Sequence, residues 1–200
     1  MVKILSLGIL RQDIGSNAVI LANAFELNSF NYFQRSSVRE MITFFSRTFI
    51  ERTQKGQRQS IQHEEYFCHV YVRQDGLAGI VVCDEDYPPR VAFALINKVL
   101  EEYNEETVGS WVSNPGNKNL IWAPLNKALQ DYQGPTKADK ISAIQKELDE
   151  TTAVLSETVD NVLFRGEILD DLVARSADLS IQSQTFYCHA KRTNSCCVVM

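Results

Sequence analysis

From Ile141 to Thr193 an apolar or small residue recurs at alternating spacings of three and four: Ile141, Ile144, Leu148, Thr151, Leu155, Thr158, Val162, Arg165, Leu169, Leu172, Ser176, Leu179, Ser183, Phe186, Ala190 and Thr193. Ten of these sixteen positions are apolar, five are Ser or Thr, one is Arg, and no proline interrupts the series. Such an alternation puts every position on one stripe of a helix, the seam of a coiled coil. A lone helix with one adhesive stripe buries too little surface to hold itself together in water. The segment is therefore expected to be poorly ordered, docked elsewhere, or completed by partner helices. The Ser and Thr positions weaken the seam, and Gly166 beside it costs about 1 kcal/mol of helicity relative to Ala.

Arg165 stands halfway along, where an apolar residue belongs. Leu155, Val162, Leu169 and Leu172 pin the register on both sides of it. A single polar residue in a coiled-coil core fixes register and partner number at some cost in stability. A guanidinium carries five donors and no acceptor. Buried, it needs several oxygens around it, and neutral amide carbonyls satisfy it without adding charge.

The chain before Gly134-Pro135 has a different grammar, mixed α and β. Residues 2–10 form an apolar run of strand length, and 29–34 carry Phe30, Tyr32 and Phe33, again strand-like. Ser37 followed by Glu40 is a capping-box pattern, predicting a helix over 38–52. Its core stripe is Val38, Met41, Ile42, Phe45 and Phe49. Phe44 falls roughly 120° from the centre of that stripe at 100° per residue. Residues 53–60 read as a polar loop. Residues 66–72 and 77–83 read as strands joined through the turn pair Asp75-Gly76, 91–103 as a helix after Pro88-Pro89, and 120–133 as another helix. The implied organisation is a globular domain over 1–133, a linker over 134–137, the coiled-coil segment over 138–195 and a tail over 196–200.

That tail reads Cys196-Cys197-Val198-Val199-Met200. Its last four residues fit the C-a-a-X signal, and Met at the end favours farnesyl on Cys197, with Val198, Val199 and Met200 removed and the new terminus methyl-esterified. One lipid binds membranes only reversibly, so a second signal is needed. Lys191 and Arg192 are too little charge to serve, whereas Cys196 can carry a palmitoyl or second isoprenoid (geranylgeranyl) group. A reversible second lipid implies cycling between cytosol and membrane. No run of 18 apolar residues exists to span a bilayer, and residues 1–5 lack a signal-peptide pattern, so the expected location is the cytosol and the cytoplasmic face of membranes. A net charge of −5 argues against nucleic acid as a partner.

Leu155, Val162-Leu163-Phe164-Arg165-Gly166, Leu169 and Leu172, at these spacings, resemble the central part of an R-SNARE motif. Phe33-Gln34-Arg35-Ser36-Ser37 and Gln57-Arg58-Gln59-Ser60 in the first half resemble a longin domain, and the Cys-Cys-aliphatic-aliphatic-Met end stands where most R-SNAREs have a membrane helix. Together they are similar to the prenylated longin R-SNAREs of the Ykt type over essentially the whole chain. The resemblance implies an α+β, profilin-like longin fold, a five-stranded antiparallel sheet flanked by helices, followed by an α-helical SNARE segment. It implies that Arg165 forms the central polar layer of a parallel four-helix bundle with Qa, Qb and Qc SNAREs. It further implies traffic between ER, Golgi, endosomal and vacuolar or lysosomal membranes, and prenyltransferases as modifying partners.

Within such a chain Phe44 is a docking spot for the chain's own SNARE segment in a closed state. Ser176 and Ser183, at seam positions, are candidate phospho-switches, because about −1.5 to −2 charges cannot be accommodated in a buried layer; phosphate is expected to oppose both bundle assembly and closed docking. No catalytic residue, metal ligand or cofactor is expected beyond the covalent isoprenoid and palmitoyl lipids. No G-x-x-x-x-G-K-[ST] loop occurs, which excludes a small GTPase. Neighbours on a strand, Cys68 and His69 point to opposite faces, as a core thiol and a surface imidazole rather than nucleophile and base. The competing reading is a lipid-anchored longin adaptor, or an autoacylating protein, without fusion activity.

Overall fold

The computed structural model describes residues 3–13, 15, 17–113, 121–134, 154–164 and 166–196, the last four as backbone only. Strands β1 (Ile4–Arg11), β2 (Val19–Phe25), β3 (Arg58–His63), β4 (Tyr66–Val72) and β5 (Leu77–Asp84) form an antiparallel sheet in which β1 crosses to pair with β5, joined at its edge by β6 (Val154–Thr158) in the order β2-β1-β5-β4-β3-β6. Among the described strands only the β3–β6 pair is parallel. Strands β1 and β5 read as nearly continuous apolar runs because both faces of the sheet are covered. On one face lie α2 (Pro89–Thr107), a 3₁₀ turn (Ser110–Ser113) and α3 (Ala123–Asp131), packed over Leu7, Ile9 and Val81. On the other lies α1 (Arg35–Arg52), whose stripe Val38, Met41, Ile42, Phe45 and Phe49 is buried with Leu5, Val70 and Ile80.

Several local expectations give way. Residues 29–34 are turns, not a strand: Phe30 N–H donates to Leu27 O, Gln34 N–H to Asn31 O, and Tyr32 and Phe33 stand exposed. The Arg35 guanidinium ties the turn down through Phe30 O at 3.1 Å, so α1 begins at Arg35 rather than Val38. Its N-cap, Gln34, makes no side-chain cap, and the Ser37–Glu40 box is not formed; Ser37 is buried inside the first turn and the Glu40 carboxylate bonds elsewhere. Strand β2 escaped the sequence reading. So did β3, whose Arg-Gln-Ser-Ile-Gln-His looks like loop. Tertiary contacts hold those polar groups in place: Arg58 lies over the Tyr71 ring at 4.9 Å, and Ser60 Oγ meets His69 Nδ1 at 2.8 Å. His69 is therefore no surface imidazole. It is 1% exposed, stacked on Phe67 and edge-on to Phe93.

The SNARE-like segment is not one helix in this structure. After β6 come α4 (Val159–Val162), α5 (Leu169–Arg175) and α6 (Ile181–Cys196). Without partner helices the seam has no apolar surface opposite it, and breaking the helix lets separate pieces bury their side chains on the sheet edge and on α1. No helix among the described residues is long and apolar enough to cross a membrane.

Candidate functional site

The candidate functional surface is the contact between the globular body and residues 154–192. It begins at β3. Its outer edge would otherwise present a row of unpaired backbone groups; residues 154–158 pair with it in the register Arg58↔Val154 to Gln62↔Thr158. Val159 and Leu163 then turn into the α1-side core. At Arg52, the last residue of α1, the guanidinium Nη2 donates to both Glu167 carboxylate oxygens at 2.9 and 3.1 Å, and Nε donates to one of them at 3.2 Å. The Phe164 ring lies 5.0 Å from the same guanidinium. Burial alone would raise the Glu167 carboxyl; the bonds from Arg52 and the Phe164 N–H outweigh it and hold the group below its ordinary value.

Helix α5 contributes Leu169 and Val173 to the core, the turn after it Leu179, and α6 Tyr187. Arg47 pairs with Asp178, while Glu40, two turns earlier on α1, receives Ser180 N–H at 2.9 Å and Ser183 O–H at 2.7 Å. The α1 partner falls from 47 to 40 as the docked residue rises from 178 to 183, so α6 runs against α1 in the opposite sense. Burial would raise the Glu40 carboxyl, but these donors hold it low. Asp170 fastens α5 to α6, accepting from Tyr187 Oη at 3.1 Å and from Lys191 Nζ at 2.6 Å.

Phe44, off the α1 core stripe, is nonetheless only 7% exposed. It lines a cavity of about 290 Å³ with Leu172, Ser176 and Asp178, so part of its cover is the docked segment. Of the seam positions, Leu169, Leu179 and Ser183 are buried; Val162, Leu172, Ser176, Phe186 and Ala190 are half-buried; Leu155 and Thr158 are exposed on β6. Ile141, Ile144, Leu148, Thr151 and Arg165 lie outside the described residues, as do Cys197, Val198, Val199 and Met200. Thr193 and Cys196 are described as helix backbone only.

The seam reading missed Val159, Leu163, Val173 and Tyr187, which are off the stripe yet buried here, and the anchors Glu40, Arg47, Arg52, Glu167 and Asp178. A signal was present: apolar residues outside a coiled-coil seam have no work to do in the bundle. The chemistry of the surface is packing and ion pairing. The Cys68 thiol is buried and pushed up to about 12, and burial raises Cys83 as well, so neither offers a thiolate at neutral pH. No group of three or more His, Cys, Asp or Glu among the described residues comes together to hold a metal.

Two family models match the chain, a regulated-SNARE-like longin domain over residues 27–129 and synaptobrevin over residues 140–198. The VAMP-like protein YKT61 of Arabidopsis thaliana is 50% identical over 185 residues, 92% of each chain. The synaptobrevin homolog ykt6 of Schizosaccharomyces pombe is 46% identical over 200 residues, 98% of this chain and 99% of the relative. The synaptobrevin homolog YKT6 of Yarrowia lipolytica is 44% identical over 200 residues, 99% of this chain and all of the relative.

Proposed function

The chain belongs to the longin-domain R-SNAREs of the Ykt type and works in vesicle traffic, and from that premise we propose that it fuses membranes by lending residues 138–195 as one helix to a parallel bundle with Qa, Qb and Qc SNAREs. Arg165 is the central layer, facing partner amide carbonyls that satisfy its donors without a second charge. Zippering from Ile141 towards Thr193 draws the membrane-proximal end of this helix towards the anchors of its partners. Only residues 194–195 separate Thr193 from Cys196, a link short enough to transmit force. Where Met200 is the last residue, Cys197 carries the farnesyl group, added by a prenyltransferase, and Cys196 the palmitoyl or geranylgeranyl group. The membranes served are those of ER-to-Golgi, endosomal and vacuolar or lysosomal transport.

The docked arrangement is the resting form. One observation supports this reading above the others: residues 159–187 bury both seam positions (Leu169, Leu179) and off-seam positions (Leu163, Val173) on the longin domain. A segment evolved for the bundle alone would need only the first set. Docking and bundling therefore compete for Leu169 and Leu179, and release is the controlled step. A phosphate on Ser183 would meet the Glu40 carboxylate that its hydroxyl now bonds, and would favour release while opposing bundling.

The test mixes lipid-free protein with Qa, Qb and Qc helices and follows helicity and melting, for wild type and Phe44→Glu. A cooperative gain in helix, faster in the variant, is expected. No gain in either form would leave the lipid-anchored longin adaptor as the better account.

A further inference from the structure

Two aromatic rings face solvent at one end of the longin domain, where the fold has no use for them. Tyr32 and Phe33 are 79% and 83% exposed, in the turn that joins β2 to α1. Their rings meet edge-on with centroids 5.7 Å apart. The turn is stiff: the Arg35 guanidinium donates to Phe30 O at 3.1 Å and to Asn28 O at 3.4 Å, and Gln34 N–H donates to Asn31 O at 2.8 Å. Phe30 packs against the α1-side core, which leaves Tyr32 and Phe33 as a protruding pair.

Helix α6 leads to the same end of the molecule. Asp178 lies at Arg47 and Ser183 at Glu40, so the docked segment descends towards the start of α1. From Ser183, α6 runs on to Cys196, about 20 Å at about 1.5 Å per residue, whereas α1 reaches back from Glu40 to Arg35 by only about 7.5 Å. A second marker agrees. The charge of Lys191 is felt at His63, where β3 ends. At that end of the sheet Tyr66 pairs with Asp84, Asp84 N–H donates to Lys3 O, and Glu26 N–H donates to Leu5 O, just where the aromatic turn leaves β2.

We propose that Tyr32 and Phe33 form a membrane contact, inserting into the headgroup region of a bilayer beside the end of α6 while the segment is docked. This rests on reading Cys196 and Cys197 as lipid-bearing. A bilayer is the one surface that a lipid at the end of α6 brings to this end of the molecule. Aromatic rings suit that depth, with the apolar body among acyl chains and the Tyr hydroxyl among headgroups. One lipid binds only marginally, so a second contact decides how long the chain stays. The pre-formed turn loses little freedom on insertion. Charge selects the kind of bilayer. Lys191 pairs with Asp170, while Lys3, Arg35, Arg39 and Arg192 are matched by Glu26, Glu64, Glu65, Asp84, Glu85 and Asp86. Anionic headgroups therefore gain no attraction, and the surface that fits is zwitterionic.

The experiment measures partition of the full-length chain, lipidated at Cys196 and Cys197, onto phosphatidylcholine vesicles, for wild type and for Tyr32→Ser combined with Phe33→Ser. The double variant is expected to bind at least about tenfold more weakly, about 1.4 kcal/mol, a change that burial of roughly 60 Å² of ring surface supplies. Its melting, expected unchanged because neither ring is buried, separates a lost contact from a lost fold. In Phe33→Trp, brominated acyl chains should quench more emission than in wild type. Equal partition of wild type and double variant, or no added quenching, overturns this proposal and leaves the lipid anchor intact. Tighter binding on adding phosphatidylserine overturns the choice of a zwitterionic surface. A wild-type chain that stays in solution, with both lipids confirmed by mass, overturns the anchor reading together with the proposal.

Discussion

Leu163 separates the two uses proposed for the SNARE segment, docking and bundling. It lies next to seam position Val162, roughly 130° round the helix from the seam centre, and in a bundle it faces water. In the docked state it is 7% exposed, inside the α1-side core. Gln is a near match to Leu in helix propensity, so Leu163→Gln perturbs the bundle by no more than about 0.5 kcal/mol. Docking loses the burial of one leucine, worth about 1.5–3 kcal/mol, which changes the ratio of docked to released chain by roughly 10- to 150-fold. The amide left at that position also needs partners that an apolar core does not supply. Leu169→Gln is the matched comparison, since Leu169 is 8% exposed when docked and is also a seam position. Hydrogen exchange over 159–192 in the full chain reads docking, and melting with the Q-SNARE helices reads the bundle. Leu163→Gln should accelerate exchange by at least tenfold and leave bundle melting where it is, whereas Leu169→Gln should impair both. Unchanged exchange in Leu163→Gln, or a fall in bundle melting as large as that of Leu169→Gln, would refute the division of labour.

Two further outcomes are expected. Arg52→Gln and Glu167→Gln should each speed exchange over 159–175, and a double-mutant cycle should give a coupling of about 0.5–1 kcal/mol that shrinks in high salt, as for a partly exposed ion pair; a coupling of zero would show that the ion pair adds nothing to docking here. Burial depresses the His69 imidazole from 6.5 to about 4, so between those values the unfolded chain binds the proton and the folded chain does not. Its contribution is fully present above pH 6.5 and falls by about 3 kcal/mol as pH drops to 4. His69→Gln should flatten that part of the stability–pH curve, measured by denaturant unfolding, and an unaltered slope would place the acid sensitivity elsewhere.

How legible each element was followed from where its stabilisation comes from. The α1 stripe, α2 and the β4–β5 hairpin carry their own periodicity or turn residues, with Gly76 at φ 95° where the Asp75-Gly76 signal puts it. Strand β3 hid because its polar residues Arg58 and Ser60 are packed and bonded by Tyr71, Phe93 and His69, which come from other elements. The aromatic turn at 30–33 mimicked a strand because composition does not say whether a neighbouring edge exists to pair with. At the docking surface Phe44 was visible as a residue on the wrong side of its helix, whereas Glu40 looked like a helix cap.

The sequence by itself determined that residues 141–193 carry one adhesive stripe with a pinned arginine, and that such a stripe cannot stand alone in water. That is a statement about local periodicity and the hydrophobic effect, and it needs no coordinates. Only the tertiary structure decided where the stripe goes when no partner is present: β6 on the edge of β3, α5 and α6 against α1, and the ends held through Glu40, Arg47 and Arg52. Those choices join residues more than 90 positions apart, where charge, edge pairing and burial have to agree at once, and no repeat in the chain records such an agreement.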